Sequence, residues 1–323
     1  AEGLPSCVVE PIRQPPDAVP VLYLEVPTMR IGDIVRCCST EGFVDVHVDR
    51  HAASLPGCSA GRGAVEVTYY RAMAVVIAVA NQKGGVAKTT TVHTLAEALT
   101  ERGKRVLMID LDPQACLTYA TGSEPDALDE TIHDVFLGRT TARDVLLERE
   151  GPDLLPSSID LAGSEIHLLT KTGREFVLKR ALADVRDDYD IVLIDCGPSL
   201  GILTVNALTA ADTVLIPFQA ETLSDRGVGQ LLETIEDVRN YTNEDLEVLG
   251  GVATMFDSRT NLGKKVLVEV QEIHGLNVIE PPVPRSVRVA ESPGEGVSVL
   301  AHARRSRSAE AYVELAGNLE ALL

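Results

Sequence analysis

The stretch AVVIAVANQKGGVAKTTT, residues 74–91, decides the fold of this chain. Its apolar first half predicts a buried strand, the pair Gly84 and Gly85 predicts a turn, and Lys88 and Thr89 lie where a helix should begin. Proteins bind phosphate with this arrangement, because turn N–H groups and the helix end face the anion while one lysine neutralises the outer phosphates. The Thr89 hydroxyl is then placed to bind Mg²⁺.

The loop departs from the usual pattern G-x-x-x-x-G-K-[ST], because Gln82 and Ala87 occupy its two glycine positions. It matches K-G-G-x-x-K-T-T instead, with Lys83 directly before the glycines. This variant resembles the deviant Walker A loop of the ParA/MinD ATPase superfamily. The resemblance implies that Lys83 reaches across a nucleotide-sandwich homodimer to the partner's phosphates. It assigns nucleotide binding to Lys83, Gly84, Gly85, Val86, Ala87, Lys88, Thr89 and Thr90.

Ala87 stands where members of the superfamily usually carry glycine. A methyl group at this position costs little free energy if φ is negative, and about 1 kcal/mol or more if the loop needs a positive φ. The sequence leaves both possibilities open.

The rest of the chain predicts an α/β fold. Of its 323 residues, 45% are hydrophobic and 24% charged, which is typical of a globular protein with ample core. Apolar strands alternating with helices from residue 73 onward predict a mostly parallel sheet with helices on both faces. The resemblance implies the twisted, three-layer P-loop NTPase fold. Strands are predicted at 75–79, 105–110, 190–195, 212–218, 248–255 and 276–279, and helices at 88–102, 131–137, 142–148, 165–169, 175–185, 222–241, 262–273 and 309–322.

Acidic side chains follow two of the predicted strands, at the edge of the sheet where ligands bind. Asp110 and Asp112 lie two apart on one side of an extended segment, which fits either a solvated turn or a catalytic pair. Asp195 ends an apolar strand and is typical of a Walker B carboxylate that holds a water on Mg²⁺. The string D-x-D-P-Q also resembles the superfamily's switch segment, which implies that Asp112 orients the attacking water and Asp110 supports the Mg²⁺ shell.

Three later strings extend the resemblance from about residue 73 to the end of the chain. D-C-G-P-S-L-G, beginning at Asp195, resembles the superfamily's second switch with Gly197 in place of a proline. I-P-F-Q-A-E, residues 216–221, is similar to its P-x-Q-x-E segment. V-P-R-S-V-R, residues 283–288, resembles the segment that lies against the purine, which implies nucleotide contacts by Pro284 and Ser286.

The resemblance implies a slow ATPase that acts as a timer. Phosphoryl transfer needs alignment and neutralised charge more than covalent chemistry. Lys88, Mg²⁺ on Thr89 and the loop amides would bind the ATP phosphates, Asp112 would place the water, and Lys83 would act from the partner subunit. ATP should therefore drive dimerisation, and slow hydrolysis should limit how long the dimer persists.

The charge pattern limits contacts with nucleic acid to one region. A net charge of −19 argues against a protein coated by nucleic acid. Residues 259–307 nevertheless hold eight Lys or Arg against five Glu. Such charges can be ordinary solvated ones or a patch that binds DNA phosphates without reading bases. The resemblance implies non-specific DNA binding in chromosome or plasmid partitioning and a ParB-like activator. The candidate DNA-binding residues are Lys264, Lys265, Arg285, Arg288, Arg304 and Arg305.

Two other functions remain open from the sequence. A MinD-like membrane-surface ATPase would need a basic amphipathic C-terminal helix. The last helix instead carries Glu310, Glu314 and Glu320, with no Lys or Arg after Arg307, so no membrane partner is expected. The other possibility is a regulatory nucleotide-binding protein without a partition role. With no basic-then-apolar signal peptide and no apolar run near 20 residues, a cytoplasmic, nucleoid-associated protein is expected.

Residues 1–72 differ in composition from the remainder. They contain no Lys, four of the six Cys and a cluster of prolines. Short alternating runs at 19–26 and 43–48 predict strands. The Cys and His spacing matches no common zinc pattern, so no metal site is predicted. We expect a poorly ordered or dispensable extension to an ATPase domain at 73–323.

Overall fold

The computed structural model describes residues 74–220 and 224–323, apart from the side chains of 224–226 and Lys264, and the two strands Ile34–Ser39 and Gly42–His47. The chain divides into two units, Ala1–Ala72 and Met73–Leu323. In the first unit, β1 (Ile34–Ser39) and β2 (Gly42–His47) form an antiparallel pair. The strand predicted at 43–48 is confirmed with a shift of one residue. The strand predicted at 19–26 lies outside the described residues.

A six-stranded parallel sheet forms the centre of the second unit, which confirms the predicted fold class. Its strand order is β5-β4-β6-β3-β7-β8. Most strand residues are buried, because both faces of the sheet are covered and the strands are largely apolar. The strands are β3 (Val75–Val79), β4 (Val106–Leu111), β5 (Asp153–Leu155), β6 (Ile191–Cys196), β7 (Thr213–Gln219) and β8 (Glu247–Thr254).

Helices cover both faces of this sheet. The α-helices are α1 (Lys88–Glu101), α2 (Cys116–Ala120), α3 (Ile132–Leu137), α4 (Leu161–Leu168), α5 (Val177–Leu182), α6 (Ile202–Ala210), α7 (Ser224–Tyr241), α8 (Asn261–His274), α9 (Val287–Glu291), α10 (Val299–Ala303) and α11 (Arg307–Leu322). Among the described residues, no helix combines the length and apolar character needed to cross a bilayer.

Two separate cores lie on the two faces, because alternate strand residues point to opposite sides. Ile77 and Val79 pack against α1 and α11, whereas Val76 and Ala78 belong to the core built with α3, α5, α6 and α7. The helix α11 is fixed to α1 by a buried hydrogen bond of 3.1 Å between the Thr91 and Tyr312 hydroxyls. The expected three layers are therefore present.

Two predicted elements are wrong. Residues 142–148 form turns and one antiparallel bridge from Leu147 to Leu154, not a helix. Asp144 accepts hydrogen bonds from the backbone and hydroxyl of Thr141, and such local bonding competes with a helix. The strand predicted at 276–279 is reduced to one bridge between Gly251 and Val278, and the sixth strand of the sheet is β5 instead.

Several helix boundaries also differ from the prediction. The helix α4 begins four residues before the predicted start at 165, and the helix predicted at 175–185 is a 3₁₀ turn, Arg174–Phe176, followed by α5. The helix α6 was not predicted, because the G-P-S-L-G string before it was interpreted only as a switch loop.

Candidate active site

The turn between β3 and α1 is fixed to the carboxyl ends of two neighbouring strands. The buried Asn81 donates through Nδ2 to the Pro217 carbonyl at 2.8 Å and accepts the Lys83 N–H at 2.9 Å. The Thr254 hydroxyl, at the end of β8, donates to the Val86 carbonyl at 3.0 Å. These hydrogen bonds, all within the protein, hold the predicted phosphate loop in its turn conformation.

Two residues of the loop adopt a positive φ. Gly85 has φ 73° and Ala87 has φ 64°. Only glycine adopts the left-handed region without a steric cost, so the Ala87 methyl group destabilises the loop by about 1 kcal/mol. Of the two possibilities left open by the sequence, the structure therefore has the strained one.

Lys88 begins α1 and its side chain is buried. Only 7% of the residue is exposed, and Nζ donates to the Lys83 carbonyl at 3.3 Å. Burial lowers the pKa of Lys88, and the nearby Asp195 carboxylate opposes that shift. Burying the Lys88 ammonium costs folding free energy, and its position at the loop is one where phosphate oxygens would neutralise it.

Asp195 lies at the end of β6, on the strand next to β3. It is 1% exposed, and neither carboxylate oxygen has a hydrogen-bond partner among the described residues. Burial and the nearby Asp110 raise the pKa of Asp195. The Thr89 hydroxyl lies close enough to offset part of that rise, although it forms no hydrogen bond with the carboxylate. Such an orphaned carboxylate suits a cation or a cation-bound water.

Asp110 stands directly opposite Asp195 across the β4–β6 ladder. Its Oδ2 accepts the N–H and hydroxyl of Thr118, both at 2.8 Å, and its Oδ1 accepts the Asp112 N–H at 3.2 Å. Burial raises the pKa of Asp110 to about 6. Asp110 therefore holds the start of α2 in place, and Asp195 is the better-placed carboxylate for Mg²⁺.

Asp112 lies where the two predicted switch segments meet. Its Oδ1 accepts the Gln114 N–H at 3.0 Å, and its carbonyl accepts the Ser157 hydroxyl at 2.9 Å. A Cβ added to Gly197 would lie 3.4 Å from Asp112 Cγ. The glycine that replaces the superfamily's proline therefore leaves space directly beside the candidate water-orienting carboxylate.

Lys83 contacts a residue that sequence analysis did not assign to the site. Its Nζ donates to Gln219 Oε1 at 3.2 Å, and Gln219 Nε2 donates to the Gly85 carbonyl at 2.9 Å. The P-x-Q-x-E string contained this residue without giving it a role. Asn81 and Thr254 were also missed, because their partners Pro217 and Val86 are distant in sequence. Thr118 was missed because no motif marks it, although its partner Asp110 is only eight residues earlier.

The segment predicted to lie against the purine is at the carboxyl end of β8. A parallel bridge joins Phe256 to Pro284, and the Pro284 carbonyl accepts the Ser308 hydroxyl at 3.1 Å. The Ser286 hydroxyl accepts the Arg288 N–H at 3.2 Å and caps α9. This hydroxyl is therefore used for the cap.

Half of the candidate DNA-binding residues form ion pairs with nearby carboxylates. Lys265 pairs with Glu269, Arg288 with Glu291, and Arg304 with Glu101. Arg285 and Arg305 are exposed and form no ion pair with any described residue, and the side chain of Lys264 lies outside the description. The predicted patch is thus less positive than its residue count indicates.

A bound Mg²⁺ would have few protein ligands. In residues 74–220 and 224–323 no group of three or more His, Cys, Asp or Glu is arranged to hold a metal ion. Mg²⁺ commonly keeps several waters and binds through one or two side chains plus substrate phosphates. The orphaned Asp195 carboxylate and the Thr89 hydroxyl beside it fit that mode.

Comparisons with known proteins agree with this geometry. The model of the AAA domain family AAA_31 matches residues 74–248. The chain is 43% identical over 251 residues to the sporulation initiation inhibitor protein Soj of Bacillus subtilis (strain 168), covering 77% of this chain and 99% of Soj. It is 42% identical over 245 residues to the chromosome partitioning protein ParA of Caulobacter vibrioides (strain NA1000 / CB15N), covering 75% and 92%.

A solved structure from Mycobacterium smegmatis is also similar. It is described as cobyrinic acid a,c-diamide synthase with bound ADP and magnesium, and shares 50% sequence identity with this chain at a TM-score of 0.69. The match covers 76% of this chain and 93% of that one.

Proposed function

The chain belongs to the ParA/Soj family of P-loop ATPases, and from that membership we propose that it is a partitioning ATPase that dimerises with ATP and hydrolyses it slowly. The observation that carries the proposal is the pair of buried, oppositely charged groups at the loop, the Lys88 ammonium and the orphaned Asp195 carboxylate. A fold keeps such groups at a cost in stability, and Mg·ATP would satisfy both.

ATP would be held by the loop, and its phosphates by the N–H groups around Gly84 and Gly85 and by Lys88. Thr89 would bind Mg²⁺ directly and Asp195 through a water. The ion, when bound, would neutralise charge on the phosphates. The ADP and magnesium of the similar M. smegmatis structure support this choice of cofactors.

Hydrolysis would need two further side chains. Asp112 would accept a hydrogen bond from the attacking water, and Lys83 of one protomer would approach the phosphates of its partner. Within one subunit the Lys83 amine contacts Gln219, so a single protomer would lack that charge and turn over slowly.

The test is sedimentation of the full chain with Mg·ATP, with Mg·ADP and without nucleotide. We expect a dimer only with ATP. Asp112→Ala should keep this dimer and prolong it, because binding would be intact while the water is no longer placed. A monomer under all three conditions would refute the proposed switch, and normal turnover in Asp112→Ala would exclude Asp112 from the reaction.

DNA would bind at the arginines that form no ion pair. The Ser308 hydroxyl, in the first turn of α11, donates to the carbonyl of Pro284, the residue before Arg285; Arg305 and Arg307 precede Ser308 by three residues and by one. All three arginines are exposed and form no ion pair within the described part of the chain. Two copies in a dimer would give weak, salt-dependent, non-specific binding. From this DNA binding we propose that the protein associates with the nucleoid in the cytoplasm. From the family membership we propose that a ParB-like partner stimulates its ATP hydrolysis.

The name of the M. smegmatis structure suggests amide synthesis as another function. An ammonia-transferring enzyme that releases ammonia from glutamine commonly uses an activated thiolate. Within residues 74–323 the cysteines are Cys116 and Cys196, and burial raises the pKa of both thiols. Neither is an activated nucleophile at neutral pH. These observations favour the partitioning ATPase.

A membrane-surface function is also disfavoured. The apolar face of α11 packs into the core through Tyr312, Leu315 and Leu319. Its exposed side carries Glu310 and Glu314, which anionic lipid would repel.

Residues 1–72 are proposed to be dispensable for nucleotide binding. A truncated chain beginning at Met73 should bind Mg·ATP with the affinity of the full chain, as measured by calorimetry. Loss of binding in a truncated protein that still folds would show that the extension contributes to the site.

A further inference from the structure

Gln219 is the last residue of β7, and its side-chain amide attaches both sides of the glycine turn. Oε1 accepts a hydrogen bond from Lys83 Nζ at 3.2 Å. Nε2 donates to the Gly85 carbonyl at 2.9 Å and lies 2.8 Å from Met255 Sδ. The proposed hydrolytic mechanism gives this residue no contact with the nucleotide or the attacking water, although the P-x-Q-x-E string contains it.

The rest of Lys83 is held independently of Gln219. Its N–H donates to Asn81 Oδ1 at 2.9 Å, and its carbonyl accepts Lys88 Nζ at 3.3 Å. A Cβ added to Gly227, in the first turns of α7, would lie 3.7 Å from Lys83 Cβ. The backbone and the base of the side chain are therefore enclosed, and the Lys83 amine is the part that can change partners.

We propose that Gln219 is a positioning residue that retains the Lys83 amine within its own subunit and thereby sets how readily the ATP-bound dimer forms. This inference rests on the proposed function, in which Lys83 acts on the partner's phosphates. The amine cannot remain at Gln219 Oε1 and also reach across an interface. Release from Gln219 is thus a cost that dimerisation must overcome.

The cost acts twice in a symmetric dimer. When only a fraction of the molecules are competent to bind, the apparent affinity falls by that fraction. Each protomer must release its own Lys83, so a change in the strength of the Gln219 contact enters the dimer dissociation constant as a square.

Two variants of similar size isolate this contact. Gln219→Leu and Gln219→Glu both lose the N–H that binds the Gly85 carbonyl, so the loss of that hydrogen bond is common to both. The two variants differ in how they bind the Lys83 amine. Leucine cannot accept its hydrogen bond, whereas a glutamate carboxylate accepts it more strongly than glutamine does, because charge-assisted hydrogen bonds are about twice as strong as neutral ones. The comparison between the two is the measurement.

The first readout needs no dimer and no nucleotide. The full chain is treated with an amine-acylating reagent, and mass spectrometry gives the modification rate of Lys83 relative to the exposed Lys265. A lysine held by a carboxylate should react more slowly. We expect Lys83 to react on the order of fivefold faster in Gln219→Leu than in Gln219→Glu.

The second readout is the dimer dissociation constant at saturating Mg·ATP, from sedimentation equilibrium. A fivefold change per protomer becomes about 25-fold in a symmetric dimer, with Gln219→Leu tighter than Gln219→Glu. A purely structural role for Gln219 would weaken both variants equally and would not separate them.

The outcomes distinguish this inference from the proposed function. Equal Lys83 reactivity in the two variants overturns the inference, whatever the dimer does. Different reactivity with equal, measurable dimerisation also overturns it, because the contact would then not control association. If no ATP-dependent dimer forms even in the chain without substitutions, the proposed function fails, and the proposed effect of Gln219 on dimerisation fails with it. Faster Lys83 acylation together with tighter dimerisation in Gln219→Leu than in Gln219→Glu supports the inference.

Discussion

The phosphate loop and the arginine-rich segment 259–307 hold their charges in opposite ways. Around the loop, Lys88 and Asp195 are buried, and neither is in an ion pair with a described residue. In the segment 259–307 the described Lys and Arg side chains are exposed, and Lys265, Arg288 and Arg304 are paired with carboxylates. Burying a charge without a partner costs folding free energy, which a bound ligand of opposite charge can offset, whereas exposed ion pairs contribute little to stability. Single substitutions should therefore have large effects at the loop and small ones in the segment.

The largest effect is expected for Lys83→Ala. If the amine acts in trans as an arginine finger does, its loss should reduce turnover by about 10³-fold and abolish the ATP-dependent dimer. Binding of Mg·ATP to the protomer should be largely retained, because Lys88 and the loop amides remain. Phosphate release and sedimentation measure these changes. A dimer of normal stability in this variant would show that Lys83 is not needed across the interface.

Lys88→Met comes next, as a nearly isosteric change that removes the charge. Each charge-assisted hydrogen bond to phosphate contributes about 1.5–3 kcal/mol, so Mg·ATP affinity should fall by about 10²-fold. Titration calorimetry measures the affinity, and circular dichroism checks the fold. Lys265→Met, in the arginine-rich segment, is the matched control and should bind Mg·ATP normally. Equal losses in both variants would remove the distinction between the two regions.

Asp195→Asn tests the price of an orphaned carboxylate. A carboxyl whose pKa is raised in the folded protein binds its proton more tightly there than when unfolded. Stability therefore falls as pH rises from the unfolded pKa, near 4, through the folded value. Asparagine should stabilise the nucleotide-free protein at pH 7 by on the order of 1–3 kcal/mol and flatten part of this pH dependence.

Urea unfolding between pH 4.5 and 7.5 measures both quantities for Asp195→Asn. Asp110, whose pKa is raised to about 6, should supply the pH dependence that remains. In the same variant, Mg·ATP affinity should decrease. An Asn variant that is less stable at pH 7 and has an unchanged pH profile would mean that the carboxylate has partners in solution that satisfy it.

Ala87→Gly should stabilise the loop by about 1 kcal/mol, because φ at this residue is 64° and glycine adopts that region without a steric cost. Ala98→Gly, in the interior of α1, is the control and should destabilise by about the same amount or more. Urea unfolding of both variants gives the difference. Destabilisation by both would show that the loop adopts a negative φ at Ala87 in solution.

The sequence predicted the loop well because its chemistry is contiguous. The strand, the glycine pair and Lys88 follow one another within residues 74–91, and each acts through its own backbone. The positive φ of Ala87 was left open, since backbone conformation depends on Thr254 and Gln219, which hold the loop from other strands. Local pattern cannot supply contacts between residues 134 or more positions apart.

In the arginine-rich segment the sequence predicted charge but not its pairing. Arg304 is paired with Glu101, 203 residues earlier, because α10 lies against α1. The short strand β5 was missed for a related reason. It has three residues, and its place at the edge of the sheet depends on pairing with β4 rather than on a pattern of its own.

The smallest effect separates two neighbouring arginines. The guanidinium of Arg304 is engaged by Glu101, whereas Arg305 has no ion-pair partner in the described part of the chain. Arg305→Gln should weaken retention of the ATP-bound protein on non-specific DNA a few-fold and reduce the slope of log affinity against log salt by about 1. Arg304→Gln should change both less, because Glu101 already neutralises that charge. Filter binding across 50–200 mM salt measures both slopes, and an equal loss in the two variants would show that pairing does not decide which arginines reach DNA.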